Sequence, residues 1–283
     1  MKGHTMLERF SIFARGLNHP EGVTWNPFDR RVYAGGEGGE FYAISADGEV
    51  QLAAVTGGSM LGLAVDGQGR VYACDSGRGE IVRMDTRTHE ISLYARGVDG
   101  VNLDTPNVLA FGPDGMAYVT CSGEGGRPEI VRIAPGGHTE TWTAAVPRYP
   151  NGCLVTPDGA ALVVVEAQAQ RLVLVAIGED GSAGDPQTIA ELPDTDADGV
   201  SLAADGSYWV TLYRPDGLAR VTSGGMVEVV VDDHLASHFD APTNIAWIGD
   251  SLDRAVVANV GGRHLSIADI GISGSPLHYP EVP

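Results

Sequence analysis

Cysteine is nearly missing from this chain: three residues, Cys74, Cys121 and Cys153, stand far apart among 283. So few thiols supply no disulfide framework, and no Asn-x-Ser/Thr sequon occurs, so the sequence fits a reducing cytoplasm better than secretion. Positive charge is also scarce. Against 37 Asp and Glu stand 18 Lys and Arg, a formal net charge of −19. That field repels a phosphate backbone and argues against nucleic acid as a partner. Long apolar runs are absent: residues 160–165 and 226–231 fall far short of the roughly 20 residues that cross a bilayer, so no membrane span is expected. The opening Met1-Lys2-Gly3-His4-Thr5 turns polar at once and leads into no apolar segment with a small-residue cleavage site, so no secretory leader is expected. The chain also lacks a G-x-S-x-G, a P-loop and a G-x-G-x-x-G, which removes the motif basis for a serine hydrolase or a nucleotide-binding protein. Helical periodicity is missing throughout. What is present is 43% hydrophobic residues, ample for a large core, together with 39 glycines that are not scattered at random.

The glycines mark a repeat. Six segments share an apolar run, a turn, a β-branched or aromatic run, a Gly-rich or polar break and a third run. They begin at Gly22, Gly62, Val108, Gly152, Gly199 and Asn244, at intervals of 40 to 47 residues. Asp66-Gly67, Asp114-Gly115, Asp158-Gly159 and Asp205-Gly206 each sit between two apolar runs, where a tight hairpin needs positive φ. A fourth run follows in most units but not after Ile270, whereas residues 9–14 at the amino terminus form a strand without a unit. The pattern predicts an all-β, six-bladed β-propeller over residues 1–283, a single domain whose last blade is closed by the N-terminal strand. A stacked sandwich is the rival architecture. The stretch 274–283, with three prolines, is expected to be extended and partly disordered. Trp25, Trp142, Trp209 and Trp247 fall within strand runs and read as core.

In a propeller the inner strands run in one direction around a central channel, so their first residues form a ring at one mouth. The residues just before these strands are Glu21, Leu61, Asn107, Asn151, Asp198 and Thr243 or Asn244. Five of six blades thus place an oxygen-bearing side chain where a structural strand would prefer an apolar one. Carboxylates and carboxamides left alone there would repel or stay unpaired, and a cation resolves both problems. All-oxygen donors favour a hard ion, and the flexible amide oxygens favour Ca2+ over Mg2+, although other divalent ions fit the same donors. The competing reading has these residues cap turns between blades through bonds to backbone amides.

The openings Pro20-Glu21-Gly22-Val23, Pro106-Asn107-Val108-Leu109, Pro150-Asn151-Gly152-Cys153 and Asp198-Gly199-Val200-Ser201 resemble those of the regucalcin/gluconolactonase family of calcium-dependent propellers, which includes senescence marker protein and luciferin-regenerating enzyme-like members. A more distant likeness is to the diisopropyl-fluorophosphatase and paraoxonase propellers. The resemblance covers nearly the whole chain. It implies that Glu21, Asn151 and Asp198 bind the metal, with Asn107 a ligand or a substrate contact. It also implies that Asp198 acts as nucleophile or general base on a lactone or related ester whose carbonyl the metal polarises. One departure stands out: gluconolactonases of the family carry Arg-x-Asn-Asp at the third opening, and this chain has Thr105-Pro106-Asn107-Val108. A polyhydroxylated substrate is thereby put in doubt, and Val108 points to a more apolar acyl or aryl group. The stretch Val164-Val165-Glu166-Ala167 followed by Arg171-Leu172 is similar to strictosidine synthase-like propellers, which keeps a non-hydrolytic lyase or cyclase, or a binding propeller, as alternatives.

Around the ring, His19 lies two residues before Glu21, within reach of proton shuttling. His19-Pro20-Glu21 matches the H-x-E of zinc deaminases, but no P-C-x-x-C follows. The loops between second and third strands open on the same face and contribute Glu37, Asp75, Glu124, Glu166, Tyr213, Arg214 and Asn259. Tyr213 and Arg214, with Arg148 and Tyr149 ahead of Asn151, are the candidates for gripping a small-molecule substrate. A monomer or small homo-oligomer is expected.

Overall fold

The computed structural model describes residues 6–283, which form six four-stranded antiparallel sheets. Blades one to six start from the inner strands Val23–Asn26, Met60–Val65, Pro106–Phe111, Pro150–Val155, Asp196–Leu202 and Pro242–Ile248. Each inner strand packs against the inner strand of the next blade, and the last meets the first. The first five blades take four consecutive strands from the axis outward. Blade six takes three, and Ser11–Arg15 completes it by pairing antiparallel to His264–Ala268. The propeller and its closure agree with the repeat read from the sequence. No helix among the described residues is long and apolar enough to cross a membrane; the named helical element is a 3-10 turn at Ala167–Ala169.

Burial explains the composition of each strand. The first three strands of a blade are almost wholly buried, whereas the outer strand is half-buried to exposed, as in Val50–Val55. Apolar side chains collect into six clusters, one at each blade-to-blade interface. Trp209 of blade five meets Trp247 of blade six edge-on, with ring centroids 6.0 Å apart. Trp25 packs against Ala246 and Ile248 of blade six, and the Trp142 indole N–H donates to the Gly181 carbonyl at 2.8 Å. Cys74, Cys121 and Cys153 are free and buried.

Three of the four expected hairpin glycines adopt left-handed backbones, Gly115 at φ 85°, Gly159 at 71° and Gly206 at 80°. Blade two differs. There Gly69 takes the positive φ, 75°, two residues beyond Gly67. Gly67 has another duty: its N–H donates to the Pro280 carbonyl at 2.8 Å, and a Cβ on it would lie 2.8 Å from the Tyr279 carbonyl oxygen. The expectation of a partly disordered carboxyl-terminal stretch is therefore corrected. Residues 275–283 are extended but packed across the hairpin end of the channel. Val282 is 1% exposed within the cluster between blades two and three. Its carbonyl accepts from Arg70 and from Gln68 Nε2, and His278 Nε2 donates to the Thr156 carbonyl at 2.9 Å. Proline removes donors without preventing the remaining carbonyls from being held.

Candidate active site

At the opposite mouth the inner strands do not pair regularly. In five of them the ladder to the second strand skips two residues, between Met60 and Leu63, Pro106 and Leu109, Pro150 and Cys153, Ala197 and Val200, and Pro242 and Ile245. Such a bulge re-aims a side chain out of the alternation a flat strand imposes. Asn107, Asn151 and Asp198 thus lie inside the strand, in the skipped steps, one or more residues later than the sequence places them. The chain reaches three of these steps, and the regular blade-one opening at Glu21, through a residue in the left-handed region followed by proline: Thr105 (φ 56°), Tyr149 (62°) and Ala241 (51°), with His19 (44°) ahead of Glu21. Non-glycine residues hold this conformation at some cost, and it recurs where structure serves a site.

Small residues let the steps approach one another. A Cβ on Gly152 would sit 2.5 Å from the Asp198 carbonyl oxygen, and one on Gly199 would sit 2.5 Å from that of Thr243. Two threonines on second strands fill the gaps in the ladder. Val108 N–H donates to Thr120 Oγ1 at 3.1 Å, and the Thr120 hydroxyl donates to the Asn151 carbonyl at 2.7 Å. In blade five Gly199 N–H donates to Thr211 Oγ1 at 2.7 Å, and Thr211 donates to the Thr243 carbonyl. The Glu21 carbonyl accepts from Thr243 Oγ1 at 2.6 Å and from Asn244 Nδ2 at 3.2 Å, linking blade six to blade one.

The side chains converge on a mouth of about 540 Å3 that Glu21, Leu61, Asn107, Asn151, Asp198 and Thr243 line at its base. All but Leu61 are buried. Four oxygens there have no hydrogen-bond partner: Glu21 Oε2, Asn107 Oδ1, Asn151 Oδ1 and Asp198 Oδ1. For Asn107 the orientation has a cause, because its Nδ2 donates to Ser122 Oγ at 2.9 Å and the Ser122 hydroxyl donates to the Pro150 carbonyl at 3.0 Å, leaving Oδ1 toward the mouth. Burial pushes the Glu21 carboxyl well above its ordinary range, and the charge of Asp198 adds to it. Burial likewise pushes Asp198 up to about 7, opposed by the Asn151 carboxamide. Buried unpaired acceptors are rare and expensive, and four of them around one axis, two anionic and two carboxamide, suit a hard divalent cation. No group of three or more His, Cys, Asp and Glu converges among the described residues; this donor set depends on asparagine.

Tyr149, Glu124 and Tyr213 also line the mouth, and the Tyr149 hydroxyl donates to Glu124 Oε1 at 3.0 Å. His19 and Arg214 are not among its lining residues. His19 Nδ1 donates to the Val260 carbonyl at 2.7 Å, and its Nε2 faces Glu37 at 3.9 Å. Arg214 lies over the Tyr213 ring, 4.8 Å from its centroid, and pairs with Asp216 at 2.8 Å. Other loop candidates are committed inward. Asp75 accepts from Thr56 Oγ1 and the Ser59 N–H, Glu166 from the Arg148 N–H and Arg171 Nε, and Asn259 from the Asp240 N–H. The sequence reading missed Ser122, Thr120 and Thr211; the signal available was a hydroxyl residue near the mouth end of a second strand in otherwise apolar runs.

Comparison with known proteins agrees with this architecture. A family model described as SMP-30/Gluconolactonase/LRE-like region matches residues 19–260. A gluconolactonase from Zymomonas mobilis subsp. mobilis is 27% identical over 115 residues, an alignment covering 36% of this chain and 32% of that enzyme. A structure of a gluconolactonase from Xanthomonas campestris superposes with a TM-score of 0.79 at 21% identity, covering 92% of this chain and 89% of the other. A calcium-binding protein, regucalcin, from Agrobacterium tumefaciens superposes with a TM-score of 0.75 at 18% identity, covering 94% and 97%.

Proposed function

Because the chain belongs to the SMP-30/Gluconolactonase/LRE-like family, we propose that it is a hydrolase of a lactone or related ester, dependent on a divalent cation, with calcium favoured. Glu21, Asn107, Asn151 and Asp198 would hold the cation. The observation that carries this reading is the set of four partnerless buried oxygens at one mouth. The names of the similar proteins, two gluconolactonases and a calcium-binding regucalcin, support it. Bound there, the cation would supply Lewis acidity toward a substrate carbonyl.

The chain's own residues do the remaining work. Asp198 faces the mouth, and its carboxylate either takes a proton from the attacking water or attacks the carbonyl carbon itself. As a base, Asp198 returns that proton to the alcohol oxygen as the acyl C–O bond breaks; as a nucleophile, it displaces the alcohol oxygen, which takes its proton from water, and the acyl anhydride so formed is hydrolysed by a second water to free Asp198. Asn107, tethered by Ser122, presents an oxygen in one orientation, and the bulged strand steps position Asn151 and Asp198, so positioning supplies a large share of the rate. His19 is given no chemical role here, since it is not among the residues that line the mouth.

The test is a lactone panel. Hydrolysis that EDTA abolishes and Ca2+ restores is expected; hydrolysis indifferent to chelation, or none of any lactone, contradicts the proposal. An Asp198→Asn variant that keeps full turnover would remove Asp198 from the chemistry.

A further inference from the structure

The mouth combines apolar surface with charge of one sign only. Above the ring, Tyr149, Ala167, Tyr213 and Val260 offer apolar or aromatic surface, interspersed with Ser76, Thr105, Glu124, Gln168 and Asp196. Among the described lining residues there is no Lys, Arg or His, and the charged ones are four carboxylates, Glu21 and Asp198 in the ring with Glu124 and Asp196. We infer that the substrate taken here is uncharged, with an apolar alkyl or aryl arm lying against Tyr149 and Tyr213. Phosphorylated and carboxylated lactones are disfavoured, and an apolar substituent is preferred to a polyhydroxylated one. The inference rests on the hydrolase reading and narrows its substrate class.

Charge argues first. A divalent cation would offset the two ring carboxylates, but Glu124 and Asp196 remain, within a molecule whose formal net charge is −19. An anionic substrate therefore meets repulsion on approach and no cationic side chain on arrival. Arg214 does not alter this, because it is committed to Asp216 at 2.8 Å. The nature of the wall argues next. Tyr213 is 37% exposed at the mouth, with the Arg214 guanidinium over one face of its ring and the rest of the ring available to a substrate. Tyr149 donates its hydroxyl to Glu124, so it offers the pocket its ring. Blade two fills its ring position with Leu61, where the other five blades place oxygens. An apolar arm gains by burial against these surfaces. At about 540 Å3 the mouth is large enough for such an arm beside the reacting carbonyl.

The experiment uses non-hydrolysable lactams, so that binding is read apart from turnover. The calcium-saturated chain is titrated with a phenyl- or hexyl-substituted δ-lactam, with gluconolactam and with its 6-phosphate, and the corresponding lactones are assayed in parallel. The substituted lactam is expected to bind at least tenfold more tightly than either alternative. A Tyr213→Ser, Val260→Ser double variant is expected to reduce that preference by roughly tenfold, with calcium titration verifying that it is folded. Equal or tighter binding of gluconolactam or its phosphate overturns the inference, as does failure of all three to bind. A preference for the substituted lactam without any lactone turnover upholds it and removes the hydrolase reading. Calcium-dependent opening of lactones that favours the polyhydroxylated one upholds the hydrolase and overturns the inference.

Discussion

At the scale of single residues, the mouth is a set of groups that the protein alone leaves unsatisfied. A buried acceptor without a donor costs about 1 to 3 kcal/mol, and Glu21, Asn107, Asn151 and Asp198 each carry one. In the metal-free chain this has a consequence for pH. The Asp198 carboxyl is raised by burial from an ordinary 3.8 to about 7, so the folded state holds this proton where the unfolded state has released it. The stabilising contribution is fully present below about pH 4 and is lost as pH rises through about 7; Glu21, raised in the same direction, adds to the slope. In EDTA, the melting temperature of the wild-type chain is therefore expected to fall more steeply between pH 4 and 7 than that of Asp198→Asn. Parallel curves would contradict this. Ser122 offers a second test, because its only proposed duty at the site is to hold the Asn107 carboxamide. Ser122→Ala should weaken calcium binding by roughly tenfold, one lost hydrogen bond's worth, and unchanged calorimetric affinity would show that Asn107 needs no tether.

At the scale of strands, the bulge is the device that turns a structural repeat into a site. Thr120 and Thr211 replace missing ladder bonds in blades three and five and tie these two bulges to the next blade. Thr120→Val keeps the shape but strands the Val108 amide and the Asn151 carbonyl. Urea unfolding is expected to show a loss of about 1 to 3 kcal/mol, and a neutral result would make these bonds dispensable. Much of this level is legible in the sequence. Blade openings repeat a Pro or Ala, an oxygen-bearing residue and a small one, and these are local signals. Fold and ring follow from them. The bulges are not legible, because they depend on which partner residue each step skips, and so the ring residues are read as lying before the strand rather than within it. Asp75, Glu166 and Asn259 mislead for the same reason: a carboxylate or amide at a loop looks available until Thr56, Arg171 or the Asp240 amide is placed against it.

At the scale of the whole molecule, the channel has two different ends. One carries the ring; the other is crossed by residues 275–283, leaving a cavity of about 80 Å3 between them and the inner strands. Proline-rich composition hides this packing, since its partners, Gly67, Arg70 and Thr156, lie more than a hundred residues away. Deleting residues 275–283 exposes the site of Val282 and frees several donors, so a loss of at least about 2 kcal/mol is expected. Calcium binding at the far mouth should survive. An unchanged urea midpoint would mean that the strap contributes nothing to the ring of blades.

The most direct measurement is calorimetric titration of calcium into the chelator-stripped chain, alongside a Glu21→Gln, Asn151→Ala double variant. One calcium per wild-type chain is expected, with affinity lost at least a hundredfold in a variant that still melts cooperatively. Wild-type protein that takes up no calcium, or a double variant that binds it as well as wild type does, would contradict the account.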